Sequence, residues 1–217
     1  MNMEEFMQQW SKEPLPYIAI LRGIHPEQAA EAAKILLECG FRYLEVPLNS
    51  PSPFLSIQRM RDVIGDRGYV GAGTVLTTQQ VDQVVDSGGQ LIISPNCDPA
   101  VIRYTRQSGL ISLPGVATPS EAFSAIANGA SALKLFPAEM VNISVIKAFR
   151  AVLPSEIQCL PVGGIQPDAM QLKRYMQAGA NGFGLGSGLF RAGMTLTQLK
   201  EHAIAYQLAF SEIRGEK

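Results

Sequence analysis

Histidine and cysteine, the residues that most often hold metals and cross-links, are scarce in this chain. Only His25 and His202 are present, far apart, so an imidazole-built zinc site has nothing to stand on. The three cysteines, Cys39, Cys97 and Cys159, are odd in number and show no metal-type or redox-type pairing. Free thiols in a reducing cytosol are expected. No block of like charge occurs, and 18 basic residues against 19 acidic ones leave a net charge of −1. That balance favours neither nucleic acid nor an anionic membrane surface. No apolar run approaches the roughly 20 residues that span a bilayer. Met1 to Glu13 lacks the apolar stretch of a signal peptide. Linkers and low-complexity stretches are also missing, so one domain over residues 1–217 is expected.

What is there is a repeat. The chain has 217 residues, 47% of them hydrophobic, enough for one sizeable core. Short runs rich in Ile, Leu and Val recur at Tyr17–Leu21, Tyr43–Pro47, Tyr69–Thr74, Leu91–Ser94, Leu110–Leu113, Ala132–Phe136, Gln158–Val162 and Gly182–Leu185. They read as strands buried on both faces. Gly40, Gly65, Gly88, Gly109, Gly129 and Gly179 each stand shortly before one of these runs, as helix C-caps do; Pro154 takes that place once. Helix starts are marked by Pro26 after His25, Thr78 before Gln79, Asp98-Pro99, Thr118-Pro119 with Glu121, and Gln166-Pro167-Asp168. The repeat of roughly 20–25 residues is about one βα unit. Eight such units predict an α/β fold, a single-domain (β/α)8 TIM barrel. An open doubly wound sheet is the other possibility, but Arg22-Gly23-Ile24 after the first strand is no dinucleotide fingerprint. Met3–Lys12, within residues 1–14, predicts an extra N-terminal helix closing the barrel bottom, and Thr195–Ile213 the last helix.

In such barrels chemistry sits at the C-terminal ends of the strands. Of seven lysines, only Lys134 falls inside a predicted strand, in Ala-Leu-Lys-Leu-Phe-Pro. Its side chain points into the barrel mouth or toward the helices, and both places lower an amine's pKa by excluding water. A neutral amine attacks a carbonyl to form a Schiff base; the bland alternative is a buried lysine paired with a carboxylate. Glu45, in Leu-Glu-Val-Pro-Leu-Asn, is the acid within a strand. Apolar surroundings would raise its pKa toward neutrality, as suits a general acid/base, unless it merely pairs with Lys134 or Arg22. Arg22 ends the first strand, where a guanidinium suits a carboxylate or phosphate and a surface loop equally well. Gly163-Gly164 and Gly186-Ser187 follow strands seven and eight, the usual phosphate loops of these barrels; tight turns without a ligand are the alternative. His25 reads as a capping or surface residue, His202 as solvated, and Cys97 as lining the mouth or incidental.

These residues carry a resemblance. Glu45-Val46-Pro47-Leu48, Gly71-Ala72-Gly73-Thr74-Val75, Ser94-Pro95-Asn96, Leu113-Pro114-Gly115, Leu133-Lys134-Leu135-Phe136-Pro137, Val162-Gly163-Gly164-Ile165 and Gly186-Ser187 occur in this order. In that arrangement the chain resembles the 2-keto-3-deoxy-6-phosphogluconate and 4-hydroxy-2-oxoglutarate aldolase family of class I aldolases, from about Ile18 to Arg191. Ile18 to Ile24 and Pro47-Leu48-Asn49-Ser50-Pro51 are similar to its phosphogalactonate branch. In the phosphogluconate branch an arginine usually stands at the position of Asn49 and holds the substrate carboxylate; here the resemblance implies that Arg22 takes over. It implies cleavage of 2-dehydro-3-deoxy-6-phospho-D-galactonate to pyruvate and D-glyceraldehyde 3-phosphate, with Lys134 as Schiff-base lysine and Glu45 as proton shuttle. It further implies substrate contact by Thr74, phosphate binding by Gly163, Gly164, Gly186 and Ser187, no metal or cofactor, and a cytoplasmic homotrimer. Rivals are cleavage of the phosphogluconate epimer or of 4-hydroxy-2-oxoglutarate, a phosphosugar epimerase or isomerase, and a barrel that binds a sugar phosphate without turning it over.

Overall fold

A computed structural model describes residues 1–215; Lys217, expected in a tail, lies outside them. Helix α1 (Met3–Trp10) precedes β1 (Tyr17–Ile20), α2 (Pro26–Glu38), β2 (Tyr43–Pro47), α3 (Pro53–Ile64), β3 (Tyr69–Gly73), α4 (Thr78–Asp86) and β4 (Leu91–Ile93). Then come α5 (Pro99–Gln107), β5 (Ile111–Leu113), β6 (Gly115–Val116), α6 (Pro119–Ala127), β7 (Ala132–Leu135) and α7 (Ile143–Arg150). The chain finishes with β8 (Gln158–Pro161), α8 (Ala169–Gln177), β9 (Phe183–Leu185) and α9 (Leu196–Gly215). The fold is α/β, with every paired strand parallel.

Local chemistry explains the element ends. Asp98 caps α5 through Ala100 and Val101, and Thr118 with Glu121 forms a full capping box on α6. The six glycines read as helix stops all have positive φ. The first cap of α4 is Thr77 rather than Thr78, its hydroxyl accepting from the Gln80 N–H. His25 occupies the cap of α2 but makes no side-chain cap bond. His202 is half-buried, not solvated; its Nδ1 lies 3.2 Å from the Leu189 carbonyl oxygen where α9 packs on that segment.

Each predicted strand is present, Tyr43–Pro47 with the expected bounds and the others one end residue shorter. The unexpected element is β6. Pro114 has no N–H to give to a ladder, so pairing breaks there and resumes at Gly115. One sheet runs β5-β4-β3-β2-β1-β9 and the other β6-β7-β8. Contacts between them include the Ser131 N–H donating to the Ser112 carbonyl at 2.8 Å and a bridge from Val162 to Gly184.

Side-chain alternation divides the core. One buried cluster, with Ile18, Tyr43, Leu91, Ile111, Ala132 and Leu160, fills the concave side of the strands and includes Phe6 and Trp10 of α1. Larger clusters, with Ala19, Leu44, Val70 and Ile92 or with Leu133 and Cys159, face the helices. Helix α1 docks through Trp10, whose ring lies 4.8 Å from that of Tyr43 and whose indole N–H donates to the Asn181 carbonyl. Among the described residues no helix is long and apolar enough to cross a membrane.

Candidate active site

The same alternation places the chemistry. Tyr43 and Ala132 lie in the concave cluster. Glu45 and Lys134 stand two residues further along β2 and β7, on the same side and nearer the C-terminal strand ends. Lys134 therefore faces inward rather than toward the helices. Both line a cavity of about 650 Å³. Beneath them Ile18, Ile20, Ile93, Leu113, Leu160 and Val162 form an apolar floor that touches both groups.

Burial sets the charge states. Glu45 is 2% exposed and Lys134 7%. Loss of water pushes the Glu45 carboxyl up to about 7, against the opposing pull of Lys134 and then Arg22. Loss of water also pushes the Lys134 amine below its ordinary value; Glu45 opposes this and Arg22 adds to it. The Lys134 Nζ stands 4.5 Å from the centre of the Phe136 ring, and Oε2 of Glu45 is buried with no hydrogen-bond partner among the described residues. This is more than a closed structural ion pair: amine and carboxyl share the wall of a roomy cavity, each displaced toward neutrality.

Close approach of the backbone holds the carboxyl in place. A Cβ built on Gly73 would stand 1.4 Å from Glu45 Oε2. Only glycine leaves that space to the acid. Gly73→Ala is expected to destabilise the protein by about 1–3 kcal/mol through overpacking and to reduce activity by displacing Glu45. Urea unfolding beside a rate assay checks this, and wild-type values in both would show that the carboxyl is free to move.

Arg22, Gly163, Gly164, Gly186 and Ser187 line the same cavity. Arg22 is exposed and donates from Nη1 to Asn49 Oδ1 at 2.5 Å, so Asn49 orients the arginine. The Gly186 carbonyl accepts from the N–H groups of Leu189 and Phe190, a helical turn whose opening residues Ser187 and Gly188 line the cavity. Thr74 stands apart: it follows β3, half-buried and outside the cavity lining, with φ 58° in a region that β-branched residues rarely occupy. Cys97 does not line the cavity either; its thiol lies 3.4 Å from the Glu121 carbonyl oxygen. Sequence reasoning missed Phe136, Phe190 and Arg191 as lining residues. Arg191 left one faint signal, a cation shortly after the Gly-rich turn of the last strand.

The sequence profile of the KDPG and KHG aldolase family matches residues 11–203. A probable 2-dehydro-3-deoxy-6-phosphogalactonate aldolase of Rhizobium meliloti (strain 1021) is 45% identical over 92% of this chain and 93% of its own. The 2-dehydro-3-deoxy-6-phosphogalactonate aldolase of Escherichia coli (strain K12) is 44% identical over 94% and 98%. A solved structure described as native KDPGal superposes with a TM-score of 0.89 at 43% identity, covering 93% of this chain and 97% of that one. The KDPG aldolase of Legionella pneumophila, with pyruvate captured as a covalent carbinolamine, superposes with a TM-score of 0.78 at 25% identity, covering 95% and 98%.

Proposed function

The chain belongs to the KDPG and KHG aldolase family of carbon–carbon lyases, and from that premise we propose that it cleaves 2-dehydro-3-deoxy-6-phospho-D-galactonate to pyruvate and D-glyceraldehyde 3-phosphate through a Schiff base on Lys134. The observation that carries this reading is the meeting, in one cavity, of an amine and a carboxyl both pushed toward neutrality by burial.

The neutral amine of Lys134 adds to the C2 ketone, and the carbinolamine loses water to become an iminium. Glu45 then takes the proton of the C4 hydroxyl. The electrons of the C3–C4 bond move into the iminium as the C4 aldehyde leaves. The enamine left behind takes a proton at C3, and water hydrolyses the imine to release pyruvate and regenerate the amine. The iminium is the electron sink, so the step needs no metal or cofactor. A carboxyl with a pKa near 7 can hold and give up a proton at neutral pH, which is what the shuttle requires. Arg22, steadied by Asn49, takes the substrate carboxylate. Gly163, Gly164, Gly186 and Ser187 take the phosphate; Thr74 is carried over from the family likeness as a substrate contact, although it stands outside the cavity lining.

The reading includes a single domain whose two sheets form one closed (β/α)8 barrel with α1 across its bottom. In it β5 and β6 are one strand broken at Pro114, and the Ser131–Ser112 hydrogen bond and the Val162–Gly184 bridge support closure. It also includes a cytoplasmic homotrimer, carried over from the family likeness, with small molecules rather than nucleic acid or membrane as partners. For the galacto over the gluco substrate the support is Asn49, which leaves the carboxylate to Arg22, together with the relatives at 44% and 45% identity. Measured kcat/KM on the two C4 epimers tests the choice. The galacto epimer is expected to react at least about tenfold faster, a transition-state difference of about 1.4 kcal/mol. A faster gluco epimer would move the assignment to a phosphogluconate aldolase.

A further inference from the structure

Neutral donors are all that the four phosphate-loop residues offer a phosphate, which carries about −1.5 to −2 charges at neutral pH. The loop is not electrically neutral either. Glu139 stands against it: a Cβ on Gly163 would lie 2.8 Å from Glu139 Oε2, and one on Gly164 3.1 Å from Oε1. Glu139 is itself exposed and stands outside the cavity lining, so it brings no positive charge to the loop. A cation beside these neutral donors would strengthen their hold on a phosphate.

Arg191 is a cation in the right place. It lines the same cavity as Gly163, Gly164, Gly186 and Ser187. Its Nε–H donates to the Ser187 carbonyl at 2.7 Å, which ties one edge of the guanidinium to the Gly-rich turn. The backbone on either side is anchored. Leu189 and Phe190 are buried just before it. Ala192 just after it packs so closely on Gly23 that a Cβ there would stand 2.7 Å from its own. Among the described residues no carboxylate pairs with Arg191 and no hydrogen bond engages its Nη groups. A guanidinium with one edge fixed and its terminal nitrogens uncommitted is suited to bidentate capture of an oxyanion. Arg22 has another post. Its charge acts on both Glu45 and Lys134, whereas Arg191 is not among the charges that act on either. The cavity thus has one arginine near the reacting amine and another at the Gly-rich turn.

We propose that Arg191 binds the substrate's phosphate directly and so sets a preference for phosphorylated over unphosphorylated 2-keto-3-deoxy acids. The substrate class rests on the aldolase reading above; the anion site itself does not. Two measurements keep the two apart. Calorimetric titration of the full chain with inorganic phosphate reads the site without any catalysis. Steady-state kinetics on a 2-keto-3-deoxy acid with and without its phosphate reads the preference. In Arg191→Ala, phosphate affinity is expected to fall about ten- to a hundredfold, the scale of a lost charge-assisted hydrogen bond. KM for the phosphorylated acid rises by a similar factor, and the preference for it falls with it. Arg191→Lys recovers only part, because the charge returns without the fork. Borohydride trapping of pyruvate on Lys134 serves as the folding control for both variants. Unchanged phosphate affinity in Arg191→Ala, no phosphate binding by the wild type, or an equal loss on both acids would overturn the proposal. A wild type that traps no pyruvate would instead sink the aldolase reading, and the phosphate titration would still decide Arg191.

Discussion

Lys134→Met is expected to lose the pyruvate adduct completely and about 10⁵-fold in kcat/KM, the scale on which removal of an enzyme's covalent nucleophile acts. Methionine keeps the length and apolar bulk of the lysine stem while removing the amine, so the floor of Ile18, Ile93 and Leu160 stays covered. The measurement is borohydride reduction in the presence of pyruvate, followed by peptide mass mapping. Wild-type protein should carry a reduced pyruvyl group on Lys134 and on no other lysine. Stability should move the other way from activity. The buried amine is held below its ordinary pKa by lost hydration, so removing it while Glu45 stays protonated should leave stability equal or higher. Glu45 would not be stranded as an ion at mildly acidic pH: losing Lys134 removes the main charge that lowers its pKa, so it stays protonated. A variant that still cleaves substrate at the wild-type rate would exclude the covalent route. A variant that loses activity and also unfolds easily would mean that Lys134 serves packing rather than chemistry.

Glu45→Gln should reduce kcat by about 10²–10⁴, the usual contribution of a positioned general acid/base. The pH profile tells more than the magnitude. Burial lifts the Glu45 carboxyl to about 7, so the wild-type profile should bend there. The amide does not titrate, and the bend should vanish in the variant. A bend that persists would belong to another group. Stability carries a second signature with a definite sign. The folded protein keeps the Glu45 proton up to about 7, whereas the unfolded chain releases it near the ordinary value of 4.5. Folding is therefore penalised as pH rises between those values, fully so above the upper one. Relative to wild type, Glu45→Gln should gain stability across that window. Lys134 reinforces the trend, because losing Glu45 lowers its pKa further and favours the folded state as pH rises. Urea midpoints at about pH 5 and about pH 8 measure the difference.

Much of this site was legible in the sequence because a strand interior is a poor place for charge. Lys134 and Glu45 stood out as charged residues amid Leu, Val and Phe. Gly163-Gly164 and Gly186-Ser187 were visible through chain order, since they follow the last two strands. Arg191 was not, because an arginine beyond a turn looks the same whether it faces solvent or a cavity. Asn49 was visible only as a missing arginine; its hydrogen bond to Arg22 depends on two loops 27 residues apart coming together. Thr74 was read as a substrate contact from the family pattern, yet it stands outside the cavity lining, and its left-handed backbone was not legible in the sequence.

The sequence by itself determined what depends on near neighbours. Proline at the first turn of a helix, Asp98 and Thr118 as caps, glycine at the helix stops and short β-rich runs all act within a few residues. They set the order of strands and helices without help from the rest of the chain. Only the tertiary structure decided what depends on residues far apart. It turned Lys134 inward rather than toward the helices. It brought that amine to the wall shared with a carboxyl 89 positions earlier in the chain. It packed Gly73 against Glu45 and left Arg191 beside the Gly-rich turn. The physical reason is that water exclusion is a property of the whole assembly: a pKa moves only when many distant side chains have together removed the solvent.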